Sequence, residues 1–376
     1  MLFHLVEWLR RFFTPVNMLG FVTSRIIASV LTSMVLIFIL SPWFIQRLKD
    51  RQIGQIVRTD GPQSHLAKTG TPTMGGSLIL FVVVMATLLW CDLTNGFVWI
   101  VLTITVAYGV IGFLDDSLKI SKKDSKGLSA TAKFGLQLAV GAAAAYYLFT
   151  SDLMDPAVRL RLDLPLMNFY DHKTSLSLIA YVMFATFVMV GSSNAVNLTD
   201  GLDGLAIGPV IISSFVFLLL TYLIGSSIVV YTNKFDSVIL ARYLLIPHVP
   251  GTQELAIYCG AVIGAGVGFL WFNTYPASVF MGDVGSLSLG GGLGAVAIMT
   301  KTELVLLVVG GIFVMEAVSV ILQVGYFKLT GKRIFLMAPI HHHFEKKGWA
   351  EPKVIVRFWI ISIMLALMGL AMVKAR

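Results

Sequence analysis

Two adjacent carboxylates, Asp115 and Asp116, stand where a long apolar run in the stretch GVIGFLDDSLK meets a group of lysines that begins with Lys119. A third aspartate, Asp283, lies in the glycine-bracketed turn MGDVGS of another loop. Protein-bound Mg²⁺ usually takes one or two carboxylates and completes its shell with water and substrate phosphates. The three aspartates and the lysine therefore predict a site for Mg²⁺ and phosphate. The alternative is that the aspartate pair simply ends an apolar segment in water.

A second polar motif, NAVNLTDGLDGLA, separates two long apolar runs. Asn197, Asp200 and Asp203 could read the hydrogen-bonding edge of a base or a sugar. The alternative is a solvated turn, because Asn, Asp and Gly are the standard residues of tight turns. Ser193 and Thr199 add two more polar side chains, which are many for a simple chain reversal. The motif therefore favours a ligand-binding loop.

The third motif, APIHHHFEKKGW, contains the consecutive histidines His341 to His343. Histidine binds metals, but three consecutive side chains cannot all point in one direction on a helix or a strand. Because Lys346 and Lys347 follow, contact with a phosphate or a sugar is as plausible as metal binding, and a solvated basic loop is the alternative. Glu316 is the one acid deep within an apolar run, which indicates either a functional group or a buried hydrogen bond.

These residues must be positioned by membrane-spanning helices. The chain has 376 residues, of which 57% are hydrophobic and 13% charged, and its mean hydropathy is +0.84. Its two cysteines exclude a disulfide framework and a cysteine metal site. We predict one all-α, polytopic membrane domain over residues 1–376, with an interfacial helix within residues 1–20. Segments long enough to cross a bilayer are predicted at about 21–46, 74–92, 97–115, 132–149, 175–193, 204–223, 255–272, 285–300, 304–327 and 354–373.

The distribution of charge predicts the orientation of these ten spans. Loops that follow odd-numbered spans carry 17 of the 28 Lys and Arg residues. Because positively charged loops tend to stay in the cytoplasm, we expect these loops to be cytoplasmic and both termini to lie on the periplasmic side. Every polar motif described above falls on such a loop. The sequence therefore predicts one active site, built from several loops in a cleft at the cytoplasmic face.

Five motifs together resemble the polyprenyl-phosphate N-acetylhexosamine-1-phosphate transferase superfamily: GTPTMGG, FLDDSLK, NAVNLTDGLDGLA, WFNTYPASVFMGDVGS and MAPIHHHFEKKGW. The resemblance covers nearly the whole chain, and the histidine motif is typical of the branch with an N-acetylmuramoyl-pentapeptide donor. It implies transfer of phospho-MurNAc-pentapeptide from UDP-MurNAc-pentapeptide to undecaprenyl phosphate, with Mg²⁺ as cofactor and UMP as second product. This reaction is the first membrane step of peptidoglycan synthesis. The resemblance therefore implies a protein of the bacterial cytoplasmic membrane that contacts membrane lipid, has no nucleic-acid partner and is compatible with a homodimer.

The resemblance also assigns roles residue by residue. It implies that Asp283 binds the metal and that Asp115 and Asp116 are possible further ligands. This aspartate pair is also expected to bind the polyprenyl phosphate and to take part in the reaction. His341 completes the predicted catalytic set, and Phe280 is expected to stack on uracil. The other residues expected to bind substrate are Lys68, Thr73, Lys119, Lys133, Asn197, Asp200, Asp203, Asn273, His342 and His343.

Two other functions and two reaction routes remain open at this stage. An N-acetylglucosamine-1-phosphate transferase of the same superfamily is one alternative, although the histidine motif disfavours it. A secondary transporter is the other, but transporters place their charges near the membrane midplane, whereas the acids here gather at one face. For a transferase, an aspartate could form a phospho-aspartyl intermediate, or the lipid phosphate could attack directly. We favour direct attack, with Asp115 as proton acceptor or positioning group.

Overall fold

The protein forms a helical bundle, seen here in a computed structural model that describes residues 1–4, 14–51, 54, 68, 70–122, 127–171, 174–231 and 237–375. Twelve α-helices of seven or more residues in the described part of the chain are labelled in chain order. They are α1 Val22–Asp50, α2 Gly76–Trp90, α3 Gly96–Lys122, α4 Ala130–Thr150, α5 Leu178–Thr199, α6 Ile207–Gly225, α7 Leu255–Asn273, α8 Gly282–Met299, α9 Glu303–Val309, α10 Gly311–Thr330, α11 Ile340–Lys346 and α12 Glu351–Lys374.

Short elements decorate the bundle. Pro156–Arg159 and Leu240–Tyr243 form single helical turns, and Thr252–Glu254 forms a 3₁₀ turn before α7. Strands β1 Val229–Tyr231 and β2 Ser237–Ile239 pair as an antiparallel hairpin. Residues 14–20 are a 3₁₀ helix, whereas most of the predicted interfacial helix falls on residues 5–13, outside the described part of the chain.

The predicted all-α membrane architecture is confirmed. Within the described residues, eight helices are long and apolar enough to cross a membrane, and α2 is a shorter apolar helix of 15 residues. The predicted fourth span coincides with α4, which is not among the eight. The structure also divides the predicted ninth span, 304–327, into α9 and α10 at Gly310. Gly310 has φ −87° and ψ 20°, outside the helical region, so the first helix ends there.

The glycine-rich helix α8 lies at the centre of the bundle, with nearly every residue buried. Small residues allow its neighbours to approach closely. A Cβ atom on Gly290 would lie 2.6 Å from the carbonyl oxygen of Ser192, and one on Gly112 would lie 2.3 Å from that of Asp283. Helices α5 and α3 therefore pack backbone to backbone against α8. This packing brings the carboxyl ends of α3 and α5 to the amino end of α8.

The opposite end of the bundle is fixed by a buried ion pair. Arg25 donates two hydrogen bonds to Glu254, at 2.8 Å and 2.6 Å, and the side chains are 4% and 6% exposed. Glu254 also accepts the backbone N–H of Asp92, at 2.8 Å. The pair therefore ties the start of α1 to the start of α7 and to the α2–α3 connection.

Removing one partner of this pair is expected to destabilise the protein strongly. Arg25→Met leaves the Glu254 carboxylate buried without its guanidinium, a change that typically costs about 3–5 kcal/mol. The double variant Arg25→Met/Glu254→Met removes both charges, and we expect it to recover part of that loss. Thermal unfolding in detergent measures the difference. A double variant as unstable as the sum of the single variants would contradict the interpretation.

Candidate active site

Three aspartates converge at the end of the bundle where α3 ends and α8 begins. Asp115 and Asp116 lie in the last two turns of α3 and are 3% and 5% exposed, and Asp283 lies in the first turn of α8. One carboxylate oxygen from each residue lies within 4.8 Å of the others. The close approach of α3 to α8 at Gly112, one turn before the pair, brings them together. Hard carboxylate oxygens at this spacing fit Mg²⁺.

Two lysines bracket the three aspartates. The Nζ atom of Lys119 lies 2.6 Å from Asp115 Oδ2, 3.4 Å from Asp116 Oδ1 and 3.0 Å from Asp283 Oδ2. Lys133, near the start of α4, lies 2.7 Å from the same Asp283 oxygen. Three carboxylates and two ammonium groups leave one formal negative charge. A divalent cation would reverse that sign, so the site with its metal would attract phosphates rather than repel them.

The two neighbouring aspartates have different hydrogen-bond partners. Asp116 Oδ2 accepts the backbone N–H groups of Asp283 and Val284, at 2.8 Å and 3.3 Å. It therefore caps the amino end of α8, where helix dipoles favour negative charge, and fixes the position of Asp283. Asp115 Oδ1 accepts the N–H of Leu128 at 2.8 Å, while its Oδ2 faces Lys119. Asp116 is thus engaged mainly by α8, and Asp115 by the loop before α4 and by a lysine.

The carboxyl end of α5 supplies the amide that orients Asp283. Asn197 Nδ2 donates to Asp283 Oδ1 and to the Ser286 hydroxyl, both at 2.8 Å. Asp200, which follows this helix, carries a raised pKa of about 8 because it is buried and the Asp283 and Asp116 carboxylates lie nearby. Asn197 and Asp200, two of the three residues predicted in this motif, therefore lie beside the aspartate centre.

A second group of predicted residues lies around Lys68. Its ammonium group lies 2.6 Å from Asp203 Oδ1, and Asp203 Oδ2 accepts the N–H of Ala277. Asn273 is buried and donates its amide to the carbonyl oxygen of Val279 at 2.9 Å, so this amide shapes the loop.

The segments around Thr73 and Phe280 pair with each other. The N–H of Phe280 donates to the Pro72 carbonyl oxygen, and the Phe280 carbonyl oxygen accepts the N–H of Gly75, both at 2.8 Å. Phe280 is half-buried. A Cβ atom on Gly282, whose φ is +72°, would lie 3.2 Å from the Thr73 hydroxyl. Phe280 thus lies directly before the turn that carries Asp283, and Thr73 lies beside that turn in space.

The three histidines have different surroundings. The side chain of His341 is 1% exposed, and its Nδ1 lies 3.1 Å from Glu316 Oε1. Its Nε2 packs against Gly201 so closely that a Cβ atom on that glycine would lie 2.3 Å from it. His342 Nδ1 lies 2.7 Å from Glu345 Oε2. His341 therefore lies beneath the loop that carries Asp200 and Asp203, rather than at an open surface. Glu316, ambiguous in the sequence, is its buried partner.

His343 lies in the last turn of the same short helix, α11. Its Nδ1 accepts the N–H of Leu336 at 3.0 Å. Loss of solvation and the charge of Lys347 lower the pKa of His343, so the neutral ring that accepts this hydrogen bond is favoured.

Sequence reasoning did not single out three residues that contact site residues or link the helices that carry them. Ser286 lies one helical turn after Asp283, so the helical period could have found it. Gln137 accepts from Asn194 at 2.7 Å and links the helices that carry Lys133 and Asn197, and a polar residue in an apolar run was the available signal. Glu351 contacts Lys68, which is 283 residues away in the sequence. Its neighbours in the sequence are typical of an exposed helix start, so nothing local indicated this contact.

Comparisons with known proteins agree with this geometry. The family model for glycosyl transferase family 4 matches residues 98–301. A phospho-N-acetylmuramoyl-pentapeptide-transferase from Sorangium cellulosum is 56% identical over 364 residues, which are 96% of this chain and 95% of that protein. Another, from Desulfatibacillum aliphaticivorans, is 54% identical over 377 residues and the full length of both chains. The resemblance predicted from the motifs is confirmed, and the chain belongs to glycosyl transferase family 4.

Proposed function

We propose that this protein transfers phospho-MurNAc-pentapeptide from UDP-MurNAc-pentapeptide to undecaprenyl phosphate and releases UMP. The observation that carries the proposal is the centre formed by Asp115, Asp116 and Asp283 with two lysines around it. Transfer between two anionic substrates mainly requires that they be positioned and their charge neutralised. A centre of carboxylates and ammonium groups at the end of a membrane bundle meets that requirement for a lipid acceptor. Both relatives named above are phospho-N-acetylmuramoyl-pentapeptide-transferases, which supports this donor.

Mg²⁺ is the metal that this donor set suits. Asp283 would hold it, with Asp115 and Asp116 as further ligands, because all three offer carboxylate oxygens within 4.8 Å of one another. The bound cation would neutralise negative charge on the phosphate groups of the substrates. Asn197 orients Asp283 by donating to its Oδ1, which leaves the opposite oxygen toward the lysines.

The proposed reaction forms one bond and breaks one bond at the donor phosphorus that carries the sugar. An oxygen of the lipid phosphate attacks this phosphorus, and the phosphoanhydride bond to the uridine-bearing phosphate breaks, so that UMP leaves with the bridging oxygen. Lys119 and Lys133 would neutralise the phosphate oxygens. Asp115 would position the acceptor or take its remaining proton.

Direct attack predicts that no phosphorylated aspartate forms. A phosphate monoester is already a nucleophile, so the enzyme does not need to supply one. We expect donor alone, without lipid acceptor, to leave Asp115 and Asp116 unmodified and to release no stoichiometric burst of UMP. Rapid quenching followed by peptide mass spectrometry measures both. An increase of one phospho-MurNAc-pentapeptide group on either aspartate, with one UMP released, would establish the two-step route instead.

We propose further that the site faces the cytoplasm of a bacterial cell, across its cytoplasmic membrane. The support is the excess of Lys and Arg in loops after odd-numbered spans, which favours a cytoplasmic position for those loops. A soluble UDP-linked donor is made in that compartment. That the protein forms a homodimer remains a prediction from the resemblance.

The experiment that tests the function separates chemistry from transport. Purified protein in detergent is given the donor, undecaprenyl phosphate and Mg²⁺, and UMP and the pyrophosphate-linked lipid are measured together by mass spectrometry. We expect the two products in equal amounts. Uptake of a solute by proteoliposomes in the absence of either product would favour a transporter and contradict the proposal.

A further inference from the structure

A second charged cluster, separate from the three aspartates, joins Lys68, Asp203 and Glu351. The ammonium group of Lys68 lies 2.6 Å from Asp203 Oδ1 and 2.5 Å from Glu351 Oε1. The same Glu351 oxygen accepts the backbone N–H of Asp203 at 3.1 Å. The three side chains are 15%, 2% and 8% exposed. One carboxylate oxygen therefore holds both the lysine and the backbone of the aspartate that pairs with it.

Glu351 is held rigidly relative to the loop that carries Asp203. It is the first residue of α12, where the helix dipole stabilises a carboxylate. Leu202 and Leu205 of the loop share a buried apolar cluster with the first turns of this helix. The indole N–H of Trp359 also donates to the Gly204 carbonyl oxygen at 3.3 Å. The loop and the start of α12 therefore form one packed unit.

The cluster connects this unit to two other segments that line the site. Asp203 Oδ2 accepts the N–H of Ala277 at 2.9 Å, three residues before Phe280. Lys68 comes from the segment that continues to Thr73. Helix α12 lies outside every motif used to predict the site. Through Glu351 it contacts two residues that are predicted to bind the donor, Lys68 and Asp203.

Charge restricts what Lys68 can bind. Two carboxylates and one ammonium group leave the cluster with one formal negative charge, which is unfavourable beside a phosphate. An ammonium group has three N–H donors. Among the described residues, the two carboxylates engage two of them, and the Tyr275 ring centroid lies 5.8 Å from the ammonium nitrogen. The remaining donor suits a neutral oxygen atom better than a phosphate.

We propose that Glu351 is a positioning residue for the donor. It fixes Lys68 and Asp203 so that the remaining ammonium N–H reaches a neutral oxygen of the nucleoside or sugar part. This role rests on the proposed function, since it presumes a UDP-sugar donor. It is distinct from the phosphate chemistry at Asp283, so its loss should weaken donor binding without altering the reaction itself.

The test is the isosteric variant Glu351→Gln, assayed for UMP release with donor and acceptor varied separately. Because a charge-assisted hydrogen bond is lost, we expect the donor KM to rise about tenfold or more. We expect kcat, the acceptor KM and the Mg²⁺ dependence to change by less than about twofold. Glu351→Asp, which keeps the charge, should have a donor KM between the two. Lys353→Gln is the matched control, since Lys353 lies exposed on the same helical turn, and it should leave the kinetics unchanged.

A double-variant cycle distinguishes positioning from general destabilisation. If Glu351 acts through Lys68, then Lys68→Gln/Glu351→Gln should have the same donor KM as Lys68→Gln alone. An unchanged donor KM in Glu351→Gln, additive effects in the cycle, or equal rises in the donor and acceptor KM would each overturn the role of Glu351. Wild-type protein that releases no UMP would overturn the proposed function, and this proposal with it.

Discussion

The variant Asp283→Asn is expected to lose at least about 10³-fold in kcat while it still folds, since metal stabilisation of transition-state charge is worth several kcal/mol. The amide keeps the shape of the side chain but loses the charge that meets both lysines and would hold the cation. Asn197 would still have an oxygen to donate to, so the local hydrogen bonding can persist. UMP release at saturating donor, acceptor and Mg²⁺ measures the effect.

The control for Asp283→Asn is Asp152→Asn, a change of the same chemistry at a fully exposed side chain. It should retain wild-type activity. Thermal unfolding of the two variants shows whether the fold is kept. If Asp283→Asn retained more than about a tenth of wild-type kcat, the loss in transition-state stabilisation would be under about 1.4 kcal/mol, too small for a metal ligand.

The second large effect is expected at Asp115, and it should differ in kind from that at Asp116. Asp115→Asn removes the charge nearest Lys119, so we expect kcat to fall about 10²–10⁴-fold, the usual range for a residue that transfers a proton. Asp116 accepts two backbone N–H groups at the amino end of α8. Asp116→Asn keeps an acceptor oxygen but loses the negative charge that the helix dipole favours there, so it should also weaken α8, by about 0.3–1 kcal/mol.

Kinetics and stability measured on the two variants together test this division of roles. We expect Asp116→Asn to need more Mg²⁺ for half-maximal activity and to unfold at a lower temperature, because Asp283 is less firmly held. Asp115→Asn should keep the wild-type unfolding temperature. Equal Mg²⁺ dependence and equal stability in the two variants would show that the aspartates are equivalent and that the hydrogen-bond pattern has no functional meaning.

Much of the fold could be predicted because the solvent of a membrane protein imposes a simple rule. Long apolar segments must form helices in a bilayer, so the predicted spans coincide with helices even where their ends shift. The break at Gly310 was not predictable, since glycine is frequent within membrane helices and does not by itself mark a break. Packing against neighbouring helices decides whether such a glycine breaks the helix.

The site could be predicted where charge stands out against an apolar background. Asp115, Asp116 and Asp283 were conspicuous for that reason, and the structure brings them together. The environment of His341 was not predictable, because burial beneath the Gly201 loop depends on contacts between distant segments. Glu351 was missed for a related reason: a glutamate at the start of a helix is ordinary, and only its contact with Lys68 distinguishes it.

The most direct measurement of the central claim compares two donors at equal concentration, with the same lipid phosphate and Mg²⁺. We expect UDP-MurNAc-pentapeptide to give rapid UMP release and the corresponding pyrophosphate-linked lipid, and UDP-N-acetylglucosamine to give neither above the rate of the Asp283→Asn variant. UMP release from UDP-N-acetylglucosamine alone would contradict the assigned donor, and the absence of UMP from both donors would contradict the assigned reaction.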